Sequence, residues 1–176
     1  MKSPLFFIFY FLFSLSFVSQ QEYNSCDFRS PLGIPLLLSG NFAELRSNHF
    51  HTGVDVKTNG TSGYRIYAVD SGYVSRINIS HWGYGKAIYI DHPNGYTSVY
   101  GHLSKFSEKI EKLIKAAQYK YQSEVVTIYL DSLDMVVSKG DVVALSGNSG
   151  SSMGPHLHFE LRETVTEYPV NPLLFN

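Results

Sequence analysis

A single cysteine, Cys26, serves all 176 residues, so the chain can form no internal disulfide and no cysteine-based metal site. Tyr23-Asn24-Ser25 ahead of it does not resemble a lipobox, which leaves a lone thiol near the N-terminus. Charge is scarce and balanced: charged residues make up 16% of the chain and the formal net charge is −1. That balance gives no electrostatic footprint for nucleic acid or for an anionic membrane surface, so no nucleic-acid partner is expected. Internal repeats and low-complexity stretches are missing beyond the N-terminal region.

Long apolar runs are also absent, with one exception at the start. Lys2 precedes a stretch from Pro4 to Val18 broken only by Ser14 and Ser16. Its length suits the apolar region of a secretory signal and is short for a membrane span. No A-x-A-like pair marks the cleavage point. The expectation is a signal peptide over 1–20, with an uncleaved N-terminal anchor, and hence a membrane contact, as the alternative. Export would place the protein in the periplasm, the cell envelope or outside the cell. Residues 21–30 read as a polar lead-in and 31–176 as one domain, since the length supports one hydrophobic core rather than two.

Aromatic residues are plentiful, at 15% and mostly Tyr and Phe, which suits strands. From Pro31 onward Gly, Pro and Asn punctuate the chain about every eight to twelve residues, the rhythm of an antiparallel β protein. Strands are expected at Ile34–Leu38, Arg65–Val69, Tyr73–Ile79, Lys86–Ile90, Tyr96–Leu103, Val125–Leu130, Val142–Leu145 and His156–Arg162. Between two of them, Asp91-His92-Pro93-Asn94-Gly95 carries the Asn-Gly pair of a tight hairpin. Phe106, Ile110, Leu113, Ile114 and Ala117 recur instead at helical spacing, with Ser104 or Ser107 as the start cap. The fold class is therefore mainly β, an antiparallel sheet or sandwich, with one inserted amphipathic helix near Lys105–Lys120.

Seven histidines are present, and four stand in unusual company. In Gly154-Pro155-His156-Leu157-His158-Phe159-Glu160-Leu161-Arg162, strand alternation sends Leu157, Phe159 and Leu161 to a core. His156, His158, Glu160 and Arg162 face the other way and line a groove. Two imidazoles about 7 Å apart on one face can serve one metal centre. In His51-Thr52-Gly53-Val54-Asp55 the spacing of four puts imidazole and carboxylate on one side of an extended or looped segment. Both are good zinc ligands, and one histidine from the strand completes three, leaving a fourth position for water. In Tyr100-Gly101-His102-Leu103, parity groups His102 with Tyr96, Ser98 and Tyr100, and sends Val99 and Leu103 to the core. His49, two residues from His51, could compete for the metal by parity. His81 and His92 read as solvated turn residues.

These segments, in this order, resemble the lysostaphin/LytM-type zinc endopeptidases that cut peptide cross-links in bacterial cell walls. The matching text is His51-x-x-x-Asp55, Tyr100-x-His102-Leu103 and Gly154-Pro155-His156-Leu157-His158-Phe159. Gly72-Tyr73-Val74, Gly140-Asp141 and the run from Gly147 to Gly150 add to it, so the likeness covers roughly Gly40 to Leu174. It implies zinc held by His51, Asp55 and His158, with His102 and His156 as the non-ligand catalytic pair in an open groove. It also implies a zinc metalloendopeptidase whose partner is the peptide part of peptidoglycan. Many members carry Thr where Met153 stands, which bears on substrate preference. The segment from Phe106 to Leu130 is longer than in compact members, and offers a groove wall or a docking surface for a protein partner.

In such a site a zinc-bound water is the nucleophile. His156 is then expected as general base and His102 as the group that orients the water or stabilises the oxyanion, with exchange of the two left open. Glu160 or a backbone carbonyl is expected behind a ligand imidazole, although Glu160 and Arg162 also read as groove-lining or paired surface residues. Three alternatives carry different signatures. A regulatory scaffold of the same fold, activating other wall hydrolases, is marked by lost ligands. A latent enzyme would have Asn41, Glu44 or His49 filling the open position. A structural β domain with incidental histidines would bind no metal.

Overall fold

The computed structural model describes residues 27–175; the expected signal segment, Cys26 and most of the lead-in lie outside the described residues. Twelve strands and one α-helix follow in order among them. They are β1 (Leu38–Gly40), β2 (Val54–Lys57), β3 (Arg65–Tyr67), β4 (Gly72–Ile79), β5 (Lys86–Asp91), β6 (Tyr96–Gly101) and β7 (Lys105–Phe106). Then come α1 (Glu108–Tyr121), β8 (Val126–Tyr129), β9 (Val136–Val137), β10 (Val142–Leu145), β11 (His156–Glu163) and β12 (Pro169–Val170), and a 3-10 turn at Pro172–Leu174. The larger sheet runs β1-β2-β11-β6-β5-β4-β8, with β12 beside β11 and β9 beside β4; the smaller is β3-β10-β7. Every pairing is antiparallel, as the alternating pattern with short turns predicts.

One apolar core joins the two sheets. Ile77, Ile88, Ile90, Tyr100, Leu157 and Leu161 from the larger meet Ile66, Phe106 and Val143 from the smaller. Each fully buried aliphatic side chain of this kind contributes roughly 1.5–3 kcal/mol. The helix adds Ile110 and Ile114. It starts three residues later than its spacing predicts, because Lys105 and Phe106 are drawn into β7 against β10. Ser107 takes the cap position without a side-chain bond; the Glu111 carboxylate instead accepts from the N–H of Phe106, just before the cap, at 2.8 Å.

Other elements shift or appear. The first strand begins at Leu38 rather than Ile34, and the segment at Val54–Lys57, left open between loop and strand, is a strand between β1 and β11. Short β7, β9 and β12 carry too few residues for a visible alternation.

Two readings by parity and position need correcting. In β6, Tyr100 faces Phe159 and Ile88 in the core, while Val99 faces Glu160 and Tyr89 on the opposite side. The expected faces are therefore inverted for Val99 and Tyr100, while Leu103 is buried in the core as expected. His102 escapes the inversion because its backbone turns to φ 57° just past the strand end. His92 is buried, not solvated. Its Nδ1 donates to the Ser71 carbonyl at 2.9 Å and its Nε2 lies 2.8 Å from Ser98 Oγ, with the Tyr100 hydroxyl 3.0 Å beyond Ser98. Phe28 packs on the ring and closes it from above. His81 is exposed, as expected.

Candidate metal centre

The core-facing alternation of β11 fixes its other face. With Leu157, Phe159 and Leu161 buried in the core, His156, His158, Glu160 and Arg162 must project oppositely. Register then chooses the neighbours: His158 stands opposite Asp55 on β2 and opposite Gly101 on β6. His51 reaches the same point from the loop before β2, across a close approach at Gly53. A Cβ there would lie 2.2 Å from the Phe159 carbonyl oxygen, so only glycine fits between the His51 and Asp55 positions.

Three donor atoms converge as a result. His51 Nε2 lies 3.0 Å from His158 Nδ1, and Asp55 Oδ1 lies 3.1 Å from the first and 3.0 Å from the second. All three residues are buried. His51 Nδ1 is 2.8 Å from the Asn41 carbonyl oxygen, and His158 Nε2 is 2.7 Å from Glu160 Oε1. Both partners only accept, so the imidazole protons sit on those outer nitrogens. The inner nitrogens are then lone pairs aimed at each other and at a carboxylate oxygen. Burial opposes ionisation of Asp55, yet its surroundings outweigh it and hold the carboxyl well below the usual carboxylate range. Three electron-rich atoms this close repel unless a cation lies among them. Donors around a four-coordinate divalent ion with bonds of roughly 2.0–2.1 Å stand about 3.3 Å apart. The set fits a metal.

Behind these three side chains lies a buried anchor. Glu160 is fully buried and accepts from the Thr52 and Tyr84 hydroxyls as well as from His158, while its Oε2 accepts from Arg162 at 2.7 Å. Burial opposes its ionisation too, but His158 and Arg162 prevail and keep it charged. Burial and the Glu160 carboxylate push the Tyr84 phenol up, so it stays a donor.

The remaining two imidazoles flank this centre. His102 donates from Nδ1 to the Ser149 carbonyl at 2.8 Å, and His156 from Nδ1 to the Gly154 carbonyl at 2.8 Å. Each therefore keeps a lone pair on Nε2. Their rings lie 4.7 Å apart, and the His102 ring is 5.8 Å from that of His158. Burial pushes His102 down to about 4, against the opposing bond to Ser149, so it is neutral near pH 7. A left-handed backbone at a non-glycine residue costs of order 1–3 kcal/mol. Here backbone bonds hold it in place: His102 N–H donates to Tyr84 O at 2.8 Å and Leu103 N–H to Lys86 O at 3.0 Å.

All five expected site residues thus line one groove of about 430 Å³, with Tyr84, Arg46 and Met153 among its other walls. Among the described residues, the group able to hold a metal is His51, Asp55 and His158, without His49. His49 Nδ1 lies 2.6 Å from Asn48 Oδ1 instead. Asn41 offers its carbonyl to His51, and its own N–H goes to the Glu44 carboxylate. Sequence reasoning missed Thr52, Tyr84 and Arg46, whose Nη2 donates to Asp55 Oδ2 at 2.8 Å. No spacing signal points to them, because each meets the site across a fold contact.

Comparison with known proteins shows what this chain is similar to. Residues 49–120 match peptidase family M23. A protein of Haemophilus influenzae named as an uncharacterized metalloprotease is 34% identical over 123 residues, covering 70% of this chain and 20% of that protein. The peptidoglycan DD-endopeptidase ShyA of Vibrio cholerae is 30% identical over 154 residues, covering 88% of this chain and 23% of that protein. The chain thus spans about a fifth to a quarter of the length of these relatives. Among solved structures, the catalytic domain of the prophage-encoded M23 protein EnpA from Enterococcus faecalis superimposes with a TM-score of 0.58 at 26% identity. That match covers 82% of this chain and 95% of the EnpA chain.

Proposed function

This chain carries a domain of peptidase family M23, and on that premise we propose that it is a zinc-dependent endopeptidase hydrolysing the peptide cross-links of bacterial peptidoglycan in wall remodelling. The observation that carries the reading is the convergence of His51 Nε2, Asp55 Oδ1 and His158 Nδ1, with each imidazole's outer nitrogen already committed. These three residues would hold the zinc. Bound there, it supplies Lewis-acid polarisation of the scissile carbonyl and a water acidic enough to ionise near neutral pH.

The chain's own groups do the rest. His102 and His156 present Nε2 lone pairs to one small volume, where one takes the proton of the attacking water and the other orients it. Kept neutral by burial, His102 can accept a hydrogen bond from the water and orient it, which leaves His156 as the base, with exchange of the two roles open. Glu160 fixes the tautomer of His158 and excludes water behind it. The open groove suits an extended peptide strand rather than a small enclosed substrate.

The complete ligand set speaks against a regulatory scaffold, which needs no metal. Export is part of the same proposal, since the substrate lies outside the cytoplasm; among the described residues no helix is long and apolar enough to cross a membrane. The test is mass spectrometry of fragments released from purified peptidoglycan, with and without chelator. Chelator-sensitive release of peptide cross-link fragments is expected. No release from isolated wall, by protein shown to contain zinc, would overturn the substrate assignment.

A further inference from the structure

Asp55 has a second oxygen, and it is occupied. While Oδ1 faces the ligand imidazoles, Oδ2 accepts a hydrogen bond of 2.8 Å from Arg46 Nη2. Arg46 arrives on a small hairpin just before the first ligand. His51 N–H donates to Glu44 O, Ala43 N–H to His51 O and Arg46 N–H to His49 O, and Leu45 bridges Phe50. Alternation turns Leu45 and Phe50 outward, where both are exposed, and Arg46 and His51 inward.

A second observation points to the same contact. Gly40, the last residue of β1, stands opposite Asp55. A Cβ on it would lie 2.4 Å from Arg46 Nη2 and 2.5 Å from Asp55 Oδ2. The strand is bare at the one point where guanidinium meets carboxylate. The next residue, Asn41, puts its carbonyl on His51 Nδ1. Residues 40–46 thus support two of the three ligands.

We propose that Arg46 is a positioning residue of the metal centre, one that holds Asp55 as a one-oxygen ligand by occupying Oδ2. This rests on the reading of His51, Asp55 and His158 as ligands. A carboxylate free to rotate can bind a metal through both oxygens and take up the coordination position that a catalytic site leaves to water. A charge-assisted hydrogen bond on the outer oxygen prevents that rotation. The Glu44 carboxylate, 3.8 Å from the same nitrogen, sits on the solvent side and does not displace the bond to Asp55.

The test is the visible spectrum of the full chain loaded with Co²⁺, whose intense bands report four-coordination and fade when a fifth donor binds. Wild type is expected to show the intense bands. Arg46→Met should lose them, and Arg46→Lys, which can still donate to one oxygen, should restore them. Should Arg46→Met fail to fold by circular dichroism, Arg46→Gln, polar but two atoms shorter, carries the same expectation. An unchanged spectrum in a folded Arg46→Met or Arg46→Gln protein overturns the proposal, whatever happens to the thermal midpoint. A wild type that binds neither Co²⁺ nor Zn²⁺ overturns the ligand reading instead.

Discussion

Glu160 and His158 meet at 2.7 Å, two residues apart on one strand, with Glu160 wholly out of solvent. Such a carboxylate behind a ligand imidazole sets its tautomer and basicity. Glu160→Ala should leave the Arg162, Tyr84 and His158 donors unpaired in a largely buried site, at a cost of about 3–5 kcal/mol. Glu160→Gln keeps the shape and an acceptor but loses the charge. It should retain most of the stability and bind Zn²⁺ roughly 10–100-fold more weakly. Chelator competition and thermal unfolding separate the two effects. Wild-type zinc affinity in Glu160→Gln would reduce the residue to a structural role.

His102 lies outside the ligand set, yet its ring is 4.7 Å from that of His156. His102→Ala should therefore keep its full zinc content and lose about 10²–10⁴ in kcat, the usual contribution of a positioned acid or base. Asp55→Ala and His158→Ala should lose the metal with the activity. Metal analysis beside a peptidoglycan-release assay reads both. A fully active His102→Ala enzyme removes that residue from the mechanism.

Gly53 has no room for a methyl group, since the Phe159 carbonyl oxygen and Glu160 Cγ lie 2.2 and 2.7 Å from where Cβ would stand. Gly53→Ala must push β2 away from β11 and carry Asp55 with it. Overpacking typically costs 1–3 kcal/mol, and a rigid backbone on one side puts this case at about 3 kcal/mol or more. Denaturant unfolding should show that loss together with weakened Zn²⁺ binding. Normal affinity in the folded variant would mean that His51 and Asp55 are placed independently of this contact.

The legible parts of this protein are those set by local period. Leu157, Phe159 and Leu161 announce their face, and the two histidines and Glu160 follow from it by alternation. β6 misled because both of its faces are buried, Val99 on one and Tyr100 on the other, so hydrophobicity does not tell them apart. The positive φ at His102 then decouples that residue from its strand. His92 sits in a turn that composition marks as solvated, and contacts from distant segments, Phe28 on its ring and Ser71 on its Nδ1, cover it. Arg46, Thr52 and Tyr84 act across contacts that no spacing encodes.

His92 also gives the molecule a pH dependence away from the metal centre. Burial lowers its pKa from the ordinary histidine value of about 6.5, against an opposing bond to the Ser71 carbonyl. The ring donates from Nδ1 to the Ser71 carbonyl, and its Nε2 lies 2.8 Å from Ser98 Oγ in a site closed to water. Below pH 6.5 the unfolded chain therefore takes up a proton that the folded one refuses. Stability must fall as the pH drops from there toward the lowered native value, by at most about 1.4 kcal/mol per pH unit from this group. His92→Phe should be less stable at pH 7, by about 1 kcal/mol for each lost hydrogen bond, and should lose less on acidification. Urea unfolding of both proteins at pH 7, 6 and 5 measures the difference in slope, with the protons of the metal centre common to both. Parallel slopes would mean that the folded protein accepts the His92 proton as readily as the open chain does.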